Sequence, residues 1–482
     1  MRGVLALDQG GHASRACIVS EHGEIIAERQ VAIRTVHGSA GEVEHDPDEI
    51  AESLRAAAVS VLASAPGVLI EAAGLATQRS TIVCFEQRSG AALSPAISWQ
   101  DRRNAQWLKC FDAQAPRIAE LTGLPLSPHY GVGKMRWCLD HLPAVQRARA
   151  AQDLLMAPLA SYLMMRLTGG MALADPANAS RTLLWDSAQR DWSPELLRLF
   201  GIERAWLPAC TPTRAPYGVL RLGEGAAFAS RPIGLAAVTG DQSAIPFAFG
   251  APDPESVYIN LGTGAFVQRP LSVRPLAVAP LLASVLIADA GGALYSLEGT
   301  VNGAGAAISR FAAEAGVAEE ELWQQLEELA PGAPLPLYIN GIGGLGSPFW
   351  RAQQPSYFIG DGSQSARFAA VVESIVFLIA LNFDLMRERG GPLTRVLLSG
   401  GLSRSDWLCR RLAALLGTSV LRGAQEATVL GVAALADPGL LGDSRPGRSH
   451  GAAPERFESE LPTGELAALR ERSARFAAAL RP

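Results

Sequence analysis

Two apolar strands in this 482-residue chain run straight into glycine. VLALD (Val4–Asp8) is followed by Gln9, Gly10 and Gly11 and then a second apolar run, and YINL (Tyr258–Leu261) by Gly262, Thr263 and Gly264 and another. A phosphate chain needs backbone N–H donors brought close, and glycine permits both the approach and the unusual dihedrals. Thr263 adds a hydroxyl. Taken singly, either loop is explained more simply by a tight β-turn. Their recurrence at the start of each half points to phosphate. Asp8 stands where a carboxylate would hold Mg²⁺ through water and offset triphosphate charge, or cap the turn. Asp241 and Gln242 lie in another glycine-flanked loop, TGDQSA. A carboxylate beside a glycine is usually structural, but phosphoryl transfer to an alcohol needs one base at the acceptor hydroxyl. In LLSGGLSRSDW, Gly400 and Gly401 join a strand to a helix. A flat base or ribose could lie on that bare backbone, or the glycines only tighten the turn.

These loops need strands and helices to hold them, and the pattern supplies both in alternation, which reads as an α/β class. VLALD, RACIVS and EIIAERQVAI form an opening meander. A helix starts at Asp46, with Pro47 in its first turn and acidic residues early. VLIEAAGLAT is a buried strand ending at Gln78, Arg79 and Ser80. Gly and Pro cluster over residues 239–257, so a domain boundary is expected near residue 248. The second half then repeats the opening hairpin, which implies a duplicated architecture with a cleft between halves. Phe368–Arg389 reads as a long helix. ATVLGVAALA is a small-residue helix suited to close packing on a nucleotide or a sheet. The terminal helix GELAALRERSARFAAAL is expected to turn its arginines to solvent. The division expected is 1–247, 248–440 and a tail of 441–482.

The charge sum, 42 basic against 47 acidic residues, is −5, and no basic stripe marks a nucleic-acid binder. Hydrophobic residues make up 48% and charged ones 18%, enough to bury a large core. Only Lys109 and Lys134 are lysines. Neither lies in a P-loop or in the V-A-I-K strand of protein kinases, so ATP would have to be held without either lysine. The six cysteines show no C-x-x-C pair and read as reduced core thiols. The N-terminus does not read as a signal peptide, and the most apolar stretch, Ile375–Leu381, is expected to be too short to span a bilayer. A soluble, cytoplasmic protein with no membrane partner is expected.

Taken in order, LALDQGGHASRA, ATQRS, AISWQDRR, DPANASRTLLWD, TGDQSAIPFAFG, INLGTGAF, YSLEGTVNGAGAAI and LLSGGLSRSDWL resemble the FGGY carbohydrate kinases, nearest to the glycerol kinases among them. The match runs from Leu5 to about Ala436. The resemblance implies two ribonuclease-H-like domains of the actin/hexokinase type, with ATP, Mg²⁺ and a small polyol or sugar in the cleft. It implies Asp241 as the base, Gln242 on the substrate and Asp8 on the metal. Gly11, His12, Ala13 and Arg15 fall at the first phosphate loop, Thr263 at the second, and Gly305, Ser309, Gly401 and Ser405 at the remaining nucleotide positions. Arg79, Trp99 and Phe266 match the walls around the acceptor. Dimers or tetramers are common in the family.

The chain also departs from the glycerol-specific pattern. Ser80 replaces a glutamate, His129 a tyrosine, Gly11 and His12 a pair of threonines, and Ser405 an asparagine. A site built to hydrogen-bond a hydroxyl discriminates strongly when a partner is lost. The acceptor expected is therefore a longer polyol or a sugar, using the space at Ser80 with His129 as a new partner, or with His129 as a wall residue only. The alternative function is a catalytically weak nucleotide- and sugar-binding sensor of the same fold, favoured by the missing loop threonines.

Overall fold

The computed structural model describes residues 1–39, 41–223, 232–276, 278–330, 332–423, 425–439 and 454–481. Two sheets carry the chain. The first has six strands in the order 214–219, 234–240, 69–77, 2–9, 13–20, 25–32, and the second seven, in the order 282–289, 292–301, 265–271, 256–261, 395–399, 419–422, 455–457. Within each, three neighbouring strands run antiparallel and the first of them then pairs in parallel with a strand from much later in the chain. The repeated hairpin is thus the visible edge of a repeated sheet.

The register decides where the loops meet. Gln9 stands beside Thr77, and Thr77 beside Gly240. The loops that follow, at 10–12, 78–81 and 241–244, therefore leave one edge of the sheet together. In the second sheet Asn260 stands beside Ser399, which brings 262–264 and 400–405 to a common edge. A five-stranded sheet, ordered 36–37, 43–45, 96–97, 82–86, 154–158, flanks the first and ends next to Ser80 and Trp99.

Local signals explain the helices. Asp46 caps Pro47–Ser64, its carboxylate accepting from the N–H groups of Asp48 and Glu49. Ser363 caps Gln364–Gly390 in the same way. That helix has 27 residues and is longer than Phe368–Arg389, so the apolar stretch is long enough by length and composition to cross a membrane. Here it forms the centre of the second half. Val371, Ile375, Ile379 and Phe383 are buried against the sheet, and Glu373 in the same stretch is buried against Arg411 and Arg472.

One expectation about helices is revised, and another is narrowed to one of its two alternatives. The terminal helix Thr463–Ala479 is not simply a solvated face. It buries Leu469 and Phe476, and Arg472 pairs with Glu373 at 2.7 Å, because an interior carboxylate needs cations drawn from neighbouring helices. Arg470 and Arg475 do face solvent. Residues 441–453 of the expected tail lie outside the described residues. The small-residue helix, Ala427–Ala436, packs on a sheet, and the sheet is the first one: its Val432 and Ala433 join Val4, Ala6, Ala72 and Ala237 in one apolar cluster. Of the thiols, Cys17, Cys84, Cys138 and Cys409 are buried, Cys210 is half-buried and Cys110 is exposed.

The contact of that helix with the first half is tight enough to exclude a methyl group. A Cβ on Gly431 would stand 1.9 Å from the Ala244 carbonyl oxygen, which is backbone and cannot move aside. Gly431→Ala is expected to destabilise the protein by about 1–3 kcal/mol through overpacking. Gly67→Ala, with nothing within 4 Å of the new carbon, serves as the control. Urea denaturation of the two variants checks this.

Candidate active site

The floor between the sheets is a buried ion cluster. Glu298, on strand 292–301, accepts two hydrogen bonds from Arg79 at 2.9 and 3.1 Å. It accepts two more from Arg181 at 2.7 and 2.6 Å, and one from Ser284 at 2.7 Å. Arg79 follows the strand 69–77 of the first sheet and Arg181 lies in the 3₁₀ turn 180–182, so one carboxylate of the second sheet holds two guanidinium groups of the first half. Burial alone would raise the Glu298 carboxyl, but Arg181 and Arg79 overcome it and hold it well below the usual range. Glu298 and Arg181 were not among the residues singled out by type and spacing. The signal was a glutamate inside the apolar strand ALYSLEGTV, which must be paired to be buried there.

Arg79 also reaches the predicted base. Its Nε lies 3.7 Å from an Asp241 carboxylate oxygen, and its guanidinium carbon 6.0 Å from the centre of the Phe266 ring. Asp241 opens a short helix at the end of strand 234–240, where it accepts from the N–H of Gln242 at 2.7 Å. Gln242 in turn accepts from Asn260 of the second sheet at 3.4 Å. Burial raises the Asp241 carboxyl and Arg79 partly restores it. Asp8 has no side-chain hydrogen bond among the described residues; burial and the charge of Asp241 push it up to about 7, against the opposing pull of Arg15.

A chain of side chains joins the first glycine loop to the acceptor wall. Gln9 donates to the Gly10 carbonyl, Gln78 donates to Gln9, Thr81 donates to Gln78, and the Trp99 N–H donates to Thr81. The Trp99 indole nitrogen lies 3.9 Å from where a Cβ on Gly11 would stand. Trp99 meets His129 edge to face, with centroids 5.6 Å apart. Ser80 is buried, its hydroxyl has no hydrogen-bond partner among the described residues, and its backbone is left-handed at φ 66°. Burial, reinforced by Lys134, Arg181, Arg79 and Arg102, pushes the His129 ring well below its ordinary value, so it is neutral. Arg79, Ser80, Trp99, His129, Asp241, Gln242 and Phe266 thus share one region.

The nucleotide positions divide. In the second loop the Gly262 N–H donates to the Gly264 carbonyl, and the Ala304 and Ala306 N–H groups both donate to the Thr263 carbonyl. A Cβ on Gly305 would meet the Gly262 oxygen at 2.8 Å, and one on Gly264 the Val301 oxygen at 2.8 Å. Gly400, at φ 86°, passes 2.6 Å from the Leu261 carbonyl by the same measure, whereas Gly401 looks onto open space. In the first loop the Gly10 N–H closes on the Ala13 carbonyl, and His12 is exposed.

Three positions are spoken for by protein. Arg15 pairs with Glu28 at 3.2 Å and with Glu426, which draws its charge off the loop. The Ser309 hydroxyl is on the surface and donates to Glu319. The Ser405 hydroxyl caps the helix Asp406–Leu416.

The residues fit a magnesium-bound triphosphate. Two buried carboxylates, Asp8 and Asp241, lie near enough for the charge of one to raise the other, and a hard cation that keeps its waters needs only one or two such ligands. Glu298→Gln is expected to cost about 3–5 kcal/mol near neutral pH by leaving buried guanidinium groups unpaired. Because the folded carboxyl is depressed, its contribution is present above the ordinary glutamate value of 4.5 and is lost as pH falls below it. The gap between wild type and variant in urea titrations should therefore close in acid.

Residues 3–248 match the N-terminal domain, and residues 257–437 the C-terminal domain, of the FGGY family of carbohydrate kinases. A glycerol kinase of Acidovorax sp. (strain JS42) is 32% identical over 492 residues, covering 97% of each chain. Among solved structures, Plasmodium falciparum glycerol kinase with ADP superposes with a TM-score of 0.87 at 20% identity, over 100% of this chain and 99% of that one. Ligand-bound xylulose kinase from Lactobacillus acidophilus does so with 0.84 at 19%, over 99% and 98%. The paired sheets, the eight ordered motifs and these matches agree, and the chain belongs to the FGGY family of carbohydrate kinases.

Proposed function

We propose that this kinase transfers the γ-phosphoryl group of Mg²⁺·ATP to a hydroxyl of a small, uncharged polyol or sugar, with Asp241 as the general base. The observation that carries the reading is the position of Asp241, 3.7 Å from Arg79 at the sheet edge shared with Asp8 and the first glycine loop. When bound, Mg²⁺ would offset the charge of the triphosphate and of the transferring group. Asp8 would hold that cation through water. The N–H groups of the loops 10–13 and 262–264 would line the phosphates, and Gly400 and Gly401 would leave bare backbone for the nucleoside. The Asp241 carboxylate accepts the proton of the attacking hydroxyl, and Arg79, already neutralised by Glu298, orients the acceptor rather than its charge.

The charges around the acceptor favour a neutral one. Two guanidinium groups share Glu298 and Asp241, and His129 is uncharged. An anionic acceptor would find no free cation among them. The buried Ser80 hydroxyl, without a partner of its own, and the neutral imidazole of His129 supply hydrogen bonds suited to hydroxyls.

Asp241→Asn should lower turnover by about 10²–10⁴-fold, with nucleotide affinity kept. ADP release against a panel of polyols and ketoses, with calorimetric titration of nucleotide, measures both. Near-normal turnover in this variant would show that Asp241 is not the base. If the wild type binds nucleotide yet releases no ADP with any acceptor, the sensor reading takes its place. Asp8→Asn should raise the Mg²⁺ concentration for half-maximal rate by about 10–100-fold, read from rates over a magnesium series.

A further inference from the structure

Lys134 is one of only two lysines in the chain, and it is fully buried. It sits in the first turn of the helix Gly131–His141, and its Nζ donates to the Ser80 carbonyl at 2.8 Å and to the His129 carbonyl at 2.7 Å. It pairs with no carboxylate among the described residues. Burial, opposed by Asp101 and reinforced by Arg103 and Arg102, pushes the amine down to about 7. An interior amine without a counter-ion is costly, and a methionine would fill the same space without that cost. What the amine provides is a bridge. Ser80 and His129 are 49 positions apart in sequence, on different elements, and they are the two wall positions where this chain departs from the glycerol-specific pattern. Ser80 is also held in a left-handed conformation that a serine seldom adopts, and such strain persists only where the surroundings over-determine it.

We propose that Lys134 is a positioning residue that sets acceptor specificity: by tying the Ser80 and His129 carbonyls to one nitrogen, it fixes the distance between the two sides of the acceptor pocket. Asn104 supports the same helix from below, its amide donating to the Gly133 carbonyl at 3.0 Å. Among the described residues the hydrogen bonds of the amine go to these two carbonyls and to neither glycine loop, so its effect is expected at the acceptor. This inference rests on the placing of the acceptor between Ser80, Trp99 and His129.

The test compares wild type, Lys134→Met and Lys134→Arg, with Lys109→Met at the exposed second lysine as the control. Initial rates are measured with glycerol, erythritol, xylitol and D-xylulose, and hydrogen exchange is measured on each protein without ligand. Lys134→Met should raise KM for the preferred acceptor by about tenfold or more, narrow the preference among the four, and leave KM for ATP within about twofold. Exchange should quicken over 78–82 and 127–133 and stay unchanged at the glycine loop 261–265. Lys134→Arg should recover part of the preference. Unchanged acceptor KM and unchanged exchange would overturn the proposal. So would equal changes in both KM values with faster exchange throughout the first half, which would make Lys134 a general core residue, as would failure of both variants to fold. If the wild type phosphorylates none of the four, the kinase reading of the pocket falls by itself, and exchange at the two segments still decides whether Lys134 ties them.

Discussion

One carboxylate joins the two halves of this enzyme. Glu298 stands on the second sheet and is hydrogen-bonded by Arg79 and Arg181 of the first half, all three buried. Two guanidinium groups cannot be taken out of water side by side unless an anion is shared between them. The geometry that satisfies this requirement also aims Arg79 at Asp241 and at Phe266. The position of the proposed base is thus tied to an ion pair on the neighbouring sheet. The same desolvated surroundings raise the Asp8 and Asp241 carboxyls, because Arg15 and Arg79 offset their burial only in part, whereas two arginines more than offset that of Glu298.

The halves interlock in other places too. The helix Ala427–Ala436 comes from the end of the chain and lies on the first sheet, and Glu426 just before it pairs with Arg15 of the opening hairpin. That pairing explains why Arg15 is not free at the phosphate loop. In the second half Glu373 plays the part that Glu298 plays between the halves, drawing Arg411 and Arg472 from two other helices. With forty arginines against two lysines, the interior pairs are built from planar forks that satisfy a carboxylate from two sides. The one buried lysine is used differently, on carbonyls.

Relatives of this fold act on different acceptors, as the glycerol and xylulose kinases that superpose on it show by their names. The sheets and glycine loops therefore do not choose the acceptor. That choice falls to a few wall residues grafted on the scaffold. In the proposed reading those are Ser80, Trp99 and His129, and they are held by polar links: Thr81 to Trp99, and Lys134 to Ser80 and His129.

The sequence by itself determined the alternation of strands and helices, the repeated hairpin, the cap at Asp46, and the family, because these depend on local periodicity, turn chemistry and ordered motifs. Asp8, Asp241 and the glycines of both loops stood out as candidates for the same reason: each lies at or just past the end of a strand. Only the tertiary structure decided the rest. Glu298 and Arg181 lie 117 positions apart, and nothing local marks them as partners. Arg472 was read as solvated because its helix looks amphipathic alone, and the carboxylate that claims it stands on another helix. The helix Ala427–Ala436 suited a nucleotide or a sheet equally until register and packing set it against Ala244 and Val4. Burial and pairing are properties of neighbours distant in the chain, and pattern along the chain does not encode which neighbours meet.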